Sequence, residues 1–295
     1  MGRLWTVCRA TASIAAILCA SAAHIASAAQ PPQWTQPVQP FRIAPGVYYV
    51  GTKGLAAYLI TSKQGAILLD GTVQENARLI ERNIETVGVP LGRVKLIVSD
   101  HAHHDHVGAI ARIKQDTGAQ FVASAGDALA LGRGLPRGDT DYAATAFAPI
   151  KVDRVIQDGQ SIAVGDAVLT AHLTPGHTPG CTSWSTTVRD GDRRLRVLFL
   201  CSITVAGNVL VGNRAYPAIA ADYEETFAKL SSIKADIVLT SHPEMGDVLG
   251  REARVEAGDR RAFVDPSVLP KIVARSKAEF ERALAEARHA ERAAP

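Results

Sequence analysis

The chain is poor in several things, and each shortage excludes a class of protein. Cysteine is scarce: there are 4 in 295 residues, and two of them, Cys8 and Cys19, fall within the first 28. The remaining pair, Cys181 and Cys201, is too small for a disulfide-framework fold. Neither charge dominates: 32 Lys and Arg stand against 29 Asp and Glu, without the basic excess that a nucleic-acid binder presents. No apolar run makes a convincing membrane span. The candidate, "ATASIAAILCASAA" at 10–23, is short and alanine-rich. Internal repeats are missing, as are low-complexity tracts outside the termini.

That apolar run instead belongs to a processing signal. Arg3 and Arg9 precede it, and the small residues Ala26-Ser27-Ala28 follow it, which are the three parts of a secretory leader. Residues 1–28 are expected to be removed, leaving 29–295 in the periplasm or outside the cell. Cys19 as a lipid-attachment site is the weaker alternative, because Leu18 stands where a small residue would be needed. Losing Arg3 and Arg9 with no acid leaves 30 basic against 29 acidic residues in the mature chain. In an oxidising compartment Cys181 and Cys201 could pair.

At 47% hydrophobic residues the chain can bury a large core. Residues 29–40, "AQPPQWTQPVQP", form an extended proline-rich arm. Strand patterns follow in "GVYYVG", "AAYLIT" and "AILLDG", the last two joined by a turn at Lys63-Gln64-Gly65. Residues 74–87, 221–232 and 267–289 are helical in pattern, the last with Leu269, Ile272, Val273, Phe280 and Leu284 on one stripe. Short strands "RVKLIVSD", "QFVAS", "AVLTAHL" and "ADIVLT" alternate with helices, and "CTSWSTTVRDGDRRLRVLFLC" reads as a hairpin around Asp190-Gly191. Strands in pairs followed by strand–helix alternation, twice over, predict an α/β architecture with helices packed outside sheets.

What the chain does have is concentrated in residues 100–110, "DHAHHDHVGAI". Four histidines and two aspartates occupy its first seven positions, directly after an apolar strand. His101 and His103 point the same way in an extended segment, Asp105 continues that period, and His106 points elsewhere. Two further histidines, His177 and His242, each follow a strand downstream. His172 lies within a strand and is expected to be an ordinary core or surface residue. A solvated histidine-rich loop would not explain this repeated strand-end placement. Imidazole with carboxylate suits Zn2+, Fe or Mn, and the absence of thiolate from the cluster argues against a structural zinc finger.

The segments "HAHHDH", "TPGHTPGCTSW" and "LTSHP" together resemble the metallo-β-lactamase superfamily over essentially the whole mature chain. The resemblance implies a four-layer αββα sandwich with a dinuclear zinc site at one edge. His101, His103 and His177 would hold the first Zn2+, and Asp105, His106 and His242 the second. His104 fills a variable place in the motif. Glyoxalase II and the related lactonases place a metal-bridging aspartate after the next strand. Here that place reads "LFLCSITVAGNVLVGN", with Cys201-Ser202 and no acid. A serine followed two residues on by a second hydroxyl, as Ser202 and Thr204 are, resembles the third subclass of class B β-lactamases. So do "QWTQPVQPFRIAPGVYYVGT" and "VLVGNRAYPAIAADYEETF".

The activity so implied is hydrolysis of the β-lactam amide of penicillins, cephalosporins and carbapenems, conferring antibiotic resistance. A hydroxide shared by two zincs would attack, with Asp105 orienting it and Ser202, Thr204 and Asn208 contacting the substrate. The expected partner is a small molecule, with no nucleic acid, no membrane insertion and a monomeric chain. A lactonase or glyoxalase-II-like thioesterase would share the ligands and is the alternative. A zinc-storage protein is disfavoured, since six ligands over two metals leave open positions. Asp70 either supports a ligand histidine from behind or is a turn residue. Trp34, Tyr142 and Phe147 are candidate cleft walls. With the hairpin centred on Gly191, Cys181 and Cys201 oppose each other directly. Their Cβ atoms would then be about 4.5–5.5 Å apart, too far for an unstrained bridge, so two buried free thiols are expected.

Overall fold

The computed structural model describes Gly2 and residues 30–141 and 144–293. The expected leader, apart from Gly2, and Tyr142 lie outside the described residues. Four antiparallel strands open the fold: β1 (Phe41–Ala44), β2 (Val47–Tyr49), β3 (Tyr58–Ser62) and β4 (Gly65–Leu69). Helix α1 (Ala77–Thr86) then returns the chain to β5 (Val94–Val98), parallel to β4. The expected helix over 74–87 thus begins as a separate 3-10 turn, Gln74–Asn76. A short α2 (His104–Val107) and α3 (Ile110–Thr117) lead to β6 (Gln120–Ser124), and α4 (Ala125–Arg133) to β7 (Arg154–Ile156). These strands form one seven-stranded sheet in sequential order.

The second half repeats the plan. An antiparallel meander of β8 (Ser161–Val164), β9 (Ala167–Leu173), β10 (Thr182–Asp190) and β11 (Arg193–Leu200) is followed by α5 (Ile219–Ser232) and β12 (Ile237–Thr240), parallel to β11. Its five strands are ordered β12-β11-β10-β9-β8. Helices α6 (Val248–Glu256) and α7 (Val268–Ala293) complete the chain.

Side-chain alternation along the strands decides the layering, because successive residues face opposite sides of a sheet. From β4, Ile67 and Leu69 enter a core shared with Trp184, Val197, Phe199, Ile237 and Leu239 of the other sheet. Their neighbours Ala66 and Leu68 face outward, onto Ile80, Ile84, Ile110, Ile113 and Leu131 of the helices. In β11, Leu198 and Leu200 likewise face Tyr223, Phe227 and Leu230 of α5 and the predicted stripe of α7. The result is helices, sheet, sheet, helices: the expected four-layer αββα sandwich.

One expectation is corrected here. The ladder pairs Asp190 with Arg193 and Trp184 with Phe199, so the turn is Gly191-Asp192 and its centre lies between those two residues. Cys181 and Cys201 are therefore one step out of direct opposition. Each also lies just beyond its strand's end, where Thr182 donates its N–H to the carbonyl of Asp100 at 2.8 Å. Freed from ladder spacing, their Cα atoms stand 6.0 Å apart and the two form a disulfide, within the usual Cα range of about 4.4–6.8 Å. The expected free thiols are not found.

Candidate metal centre

Strand β5 delivers Asp100 and His101 into the space at the end of the sandwich. The chain bends at Asp100 and Ala102, His103 itself is extended (φ −108°, ψ 151°), and the rings of His101 and His103 come side by side. The N–H groups of His106 and Val107 both donate to the carbonyl of His103, at 3.0 and 2.9 Å, and α2 begins. Asp105 and His106 are thus aimed by a helical turn, not by the strand period the sequence suggested.

Two groups of three donors result. His101 Nε2 lies 3.1 Å from His103 Nδ1, and the His177 ring centre is 4.5 and 4.8 Å from those of His101 and His103. His177 Nδ1 donates to the carbonyl of Thr204 at 2.8 Å, which fixes the tautomer and leaves Nε2 as the available lone pair. In the second group, Asp105 Oδ2 lies 3.3 Å from both His106 Nε2 and His242 Nε2. The groups adjoin, with the rings of His101 and His106 4.2 Å apart. Within each, one donor atom per residue can be chosen so that all lie within 4.8 Å of one another. Donors about 2.0–2.1 Å from a tetrahedral zinc sit about 3.3 Å from each other, so these separations fit.

The electrostatics also call for a cation. Asp70, Asp100 and Asp105 are all buried, and their ion-pair partners among the described residues are all histidines. Asp70 Oδ2, Asp100 Oδ2 and both ring nitrogens of His106 have no hydrogen-bond partner among the described residues, a costly state for buried polar atoms. Burial, with repulsion from Asp100, pushes the Asp70 carboxyl well above its ordinary range. Burial holds His103 well below the ordinary imidazole value and pushes His177 down to about 3, so both are neutral and ready to coordinate. Asp105 is held low despite burial, because His106 and His242 stabilise its charge.

Behind the donors, His101 Nδ1 lies 3.0 Å from Asp100 Oδ1. Asp70, in left-handed backbone (φ +64°), accepts the N–H of Asp100 on Oδ1 at 2.9 Å. Its Oδ2 faces His106 Nδ1 at 3.7 Å, too far for a hydrogen bond. Asp70 is therefore a turn residue that holds the backbone of Asp100, and it makes no hydrogen bond to a ligand histidine. The sequence reading assigned no role to Asp100 or to the Thr204 carbonyl. Asp100, directly before H-x-H, was open to notice; a backbone carbonyl leaves no mark in a sequence.

The donors open into a cleft of about 290 Å³ whose lining includes Trp34, His103, Asp105, His177, Ser202, Thr204 and His242. Ser202 Oγ and Thr204 Oγ1 are 3.0 Å apart. Trp34, from the proline-rich arm, packs its ring 5.8 Å from His104 and 6.1 Å from His242. His104 lines the cleft but belongs to neither donor group. Asn208 sits elsewhere than expected: it is buried, and its Nδ2 donates to the backbone carbonyl of His177 at 3.1 Å. Phe147 is packed beneath α4 in the outer core; Pro136, Ala144 and Thr145 supply that wall. His172 bonds Ser185 Oγ at 2.8 Å on the sheet and takes no part.

A four-layer αββα sandwich with a three-histidine group beside a histidine–carboxylate group is the arrangement of a metal-binding enzyme. A family model for the metallo-β-lactamase superfamily matches residues 54–242. The chain belongs to the metallo-β-lactamase superfamily. Among solved structures it is similar to BJP-1, a subclass B3 metallo-β-lactamase of Bradyrhizobium japonicum: 42% identity, 88% of this chain and 98% of that one covered, TM-score 0.83. It is also similar to native FEZ-1 metallo-β-lactamase from Legionella gormanii, at 34% identity over 86% of this chain and 98% of that one, TM-score 0.81. A hydroxyacylglutathione hydrolase of Rhodospirillum rubrum is 33% identical over 84 residues, 28% of this chain and 26% of that protein. The chain spans 26–39% of the length of the curated relatives it matches.

Proposed function

We propose that this protein hydrolyses the amide bond of bicyclic β-lactams with two zinc ions, one held by His101, His103 and His177 and the other by Asp105, His106 and His242. When bound, such ions supply Lewis acidity and lower the pKa of a coordinated water from 15.7 to about 7. The chain's own groups do the rest. Asp105 turns Oδ2 toward His106 and His242, leaving Oδ1 to accept a hydrogen bond from the attacking water and to orient it. The hydroxyls of Ser202 and Thr204, which line the cleft and bond each other at 3.0 Å, would donate to the substrate carboxylate. Trp34 gives the bicyclic ring an apolar surface and shields the cleft from solvent. Asp100 and the Thr204 carbonyl hold His101 and His177 in the orientation that presents Nε2.

The observation that carries this reading is the hydroxyl pair at 202 and 204. Lactonases and thioester hydrolases of the superfamily carry an aspartate there, whose charge would offset that of the metals. A lactam nitrogen is a poor leaving group and needs an exposed positive charge to take its developing negative one. Ser202 brings no charge to the cleft, in which Asp105 is the one acidic lining residue among the described residues. Similarity to two metallo-β-lactamases over most of their length supports the same choice. Export of residues 29–295 and a role in antibiotic resistance belong to this proposal.

The experiment is hydrolysis of a penicillin and a carbapenem by purified zinc-loaded protein, followed by loss of lactam absorbance. Turnover should vanish with chelator, return with zinc, and ignore inhibitors that acylate serine. Turnover that survives metal removal would contradict the proposal.

A further inference from the structure

Asp127 belongs to neither donor group and does not line the cleft, yet it joins the two segments that carry the first group. It lies in the opening turn of α4 and is 2% exposed. Oδ2 accepts the N–H of Ala102, between His101 and His103, at 2.9 Å. The same oxygen accepts Thr178 Oγ1, next to His177, at 2.9 Å. Oδ1 accepts the N–H of Gly180, also at 2.9 Å. Ser124, immediately before α4, donates its hydroxyl to the Gly180 carbonyl at 2.7 Å.

The fit is close on both sides. A Cβ on Gly180 would lie 2.3 Å from Asp127 N and 2.5 Å from Asp127 Cγ, and one on Gly126 would lie 2.3 Å from Pro179 O. Neither glycine has room for a side chain, so the start of α4 and the Pro179-Gly180 turn are seated as one piece. The segments have another tie, Thr182 N–H to the Asp100 carbonyl at 2.8 Å, but it lies beyond the histidines on each side. Asp127 acts between them. Burial pushes its pKa up; three donors that each need an acceptor favour the carboxylate.

We infer that Asp127 is a positioning residue for the first metal: by gathering Ala102, Thr178 and Gly180 onto one carboxylate, it sets the spacing of His101 and His103 from His177, and so the affinity of that group for zinc. It touches neither metal nor substrate. The inference rests on the metal assignment proposed above.

The test is stepwise zinc affinity, measured by competition with a chromophoric chelator, on the mature protein. Asp127→Asn keeps the shape but turns an NH2 toward a backbone N–H. One of the two zincs should bind about 10–100-fold more weakly, the usual cost of losing a group that supports metal ligands. On a His177→Ala background, where the first group is already broken, Asp127→Asn should leave the remaining zinc unchanged. Thr178→Val, which removes one of the three bonds, should act in the same direction with a smaller effect, and serves if Asp127→Asn does not fold. A purely structural residue would lower the melting temperature of the chelated protein with both affinities intact, and that result overturns the inference. Equal weakening of both zincs, or further weakening on the His177→Ala background, overturns it as well. If wild-type protein itself fails to hold two zincs, the proposed function falls and takes this inference with it.

Discussion

Replacing both Cys181 and Cys201 by alanine should destabilise the protein by an amount that follows from their separation. The bridge closes a loop with a sequence separation of 20. In the chain-entropy treatment a cross-link of that length removes about 11 cal/mol/K from the unfolded state, or about 3 kcal/mol at 25 °C. The compact unit Pro31–Pro295 should unfold with an entropy of roughly 0.55 kcal/mol/K at its midpoint, taking about 2.1 cal/mol/K per residue. The expected drop in melting temperature is therefore about 6 °C. Both proteins should be compared after chelation, since bound metal raises the midpoint by mass action and Cys201 Sγ lies only 3.9 Å from His101 Nδ1. Calorimetry gives the shift, and mass spectrometry the chemistry. Protein comprising residues 29–295, alkylated in denaturant without reductant, should gain nothing, and after reduction it should gain two alkyl groups. Two groups gained before reduction, with an unchanged midpoint in the double variant, would refute the bridge and restore the free thiols expected from sequence.

In steady-state assays on zinc-loaded protein, His103→Ala and His177→Ala should each cut β-lactam turnover by more than about 100-fold, the upper cost of losing a mere supporting group. His104→Ala and His172→Ala should stay close to wild type. Ser202→Ala should lower kcat/KM for a carboxylate-bearing lactam about 10-fold, the loss of one hydrogen bond to a charged group, chiefly through KM. Without metal, stability should depend on pH. His177 is pushed by burial from 6.5 to about 3 and His103 is also held low, so the unfolded chain takes up protons that the folded chain refuses. Their contribution is complete above about pH 6.5 and drains away as pH falls toward 3. His106 is raised by Asp105 and Asp100 against its burial; it is protonated in both states below 6.5 and does not reverse the slope. Asp70 and Asp127, whose carboxyls burial raises, pull the other way. The share of the two histidines is therefore read as the slope lost between pH 7 and pH 4 in chelated His103→Ala/His177→Ala; a slope unchanged from wild type would contradict this.

The α/β class was legible from strands in pairs followed by strand–helix alternation. The four layers followed only from the resemblance to the metallo-β-lactamase superfamily, because strands such as "AILL" and "LFL" are apolar on both faces and show no period of their own. His101, His103, His177 and His242 were legible because strand ends deliver side chains to one edge. Asp105 does gather with His106 and His242, but not through the strand period the sequence suggested. The helical turn that aims it depends on bonds to the His103 carbonyl, which no periodicity records. The cysteine pairing failed on half a residue: a turn centred between Gly191 and Asp192 shifts every partner by one. Asn208, expected from the sequence to contact the substrate, instead turns its amide to the backbone of His177, which only the tertiary structure brings within reach. Asp127 was invisible for a similar reason. An acid in the first turn of a helix is ordinary, and "SAGDALALG" gives no hint that Gly180 is pressed against it.

The measurement that tests the account most directly is a comparison of kcat/KM for a bicyclic β-lactam and for a glutathione thioester, on one preparation of zinc-loaded mature protein. With hydroxyls at Ser202 and Thr204 where the thioester hydrolases of the superfamily carry an aspartate, lactam hydrolysis should be efficient and thioester hydrolysis far weaker. Ready cleavage of the thioester with no β-lactam opened would contradict the account and assign the chain to the thioester hydrolases of its superfamily.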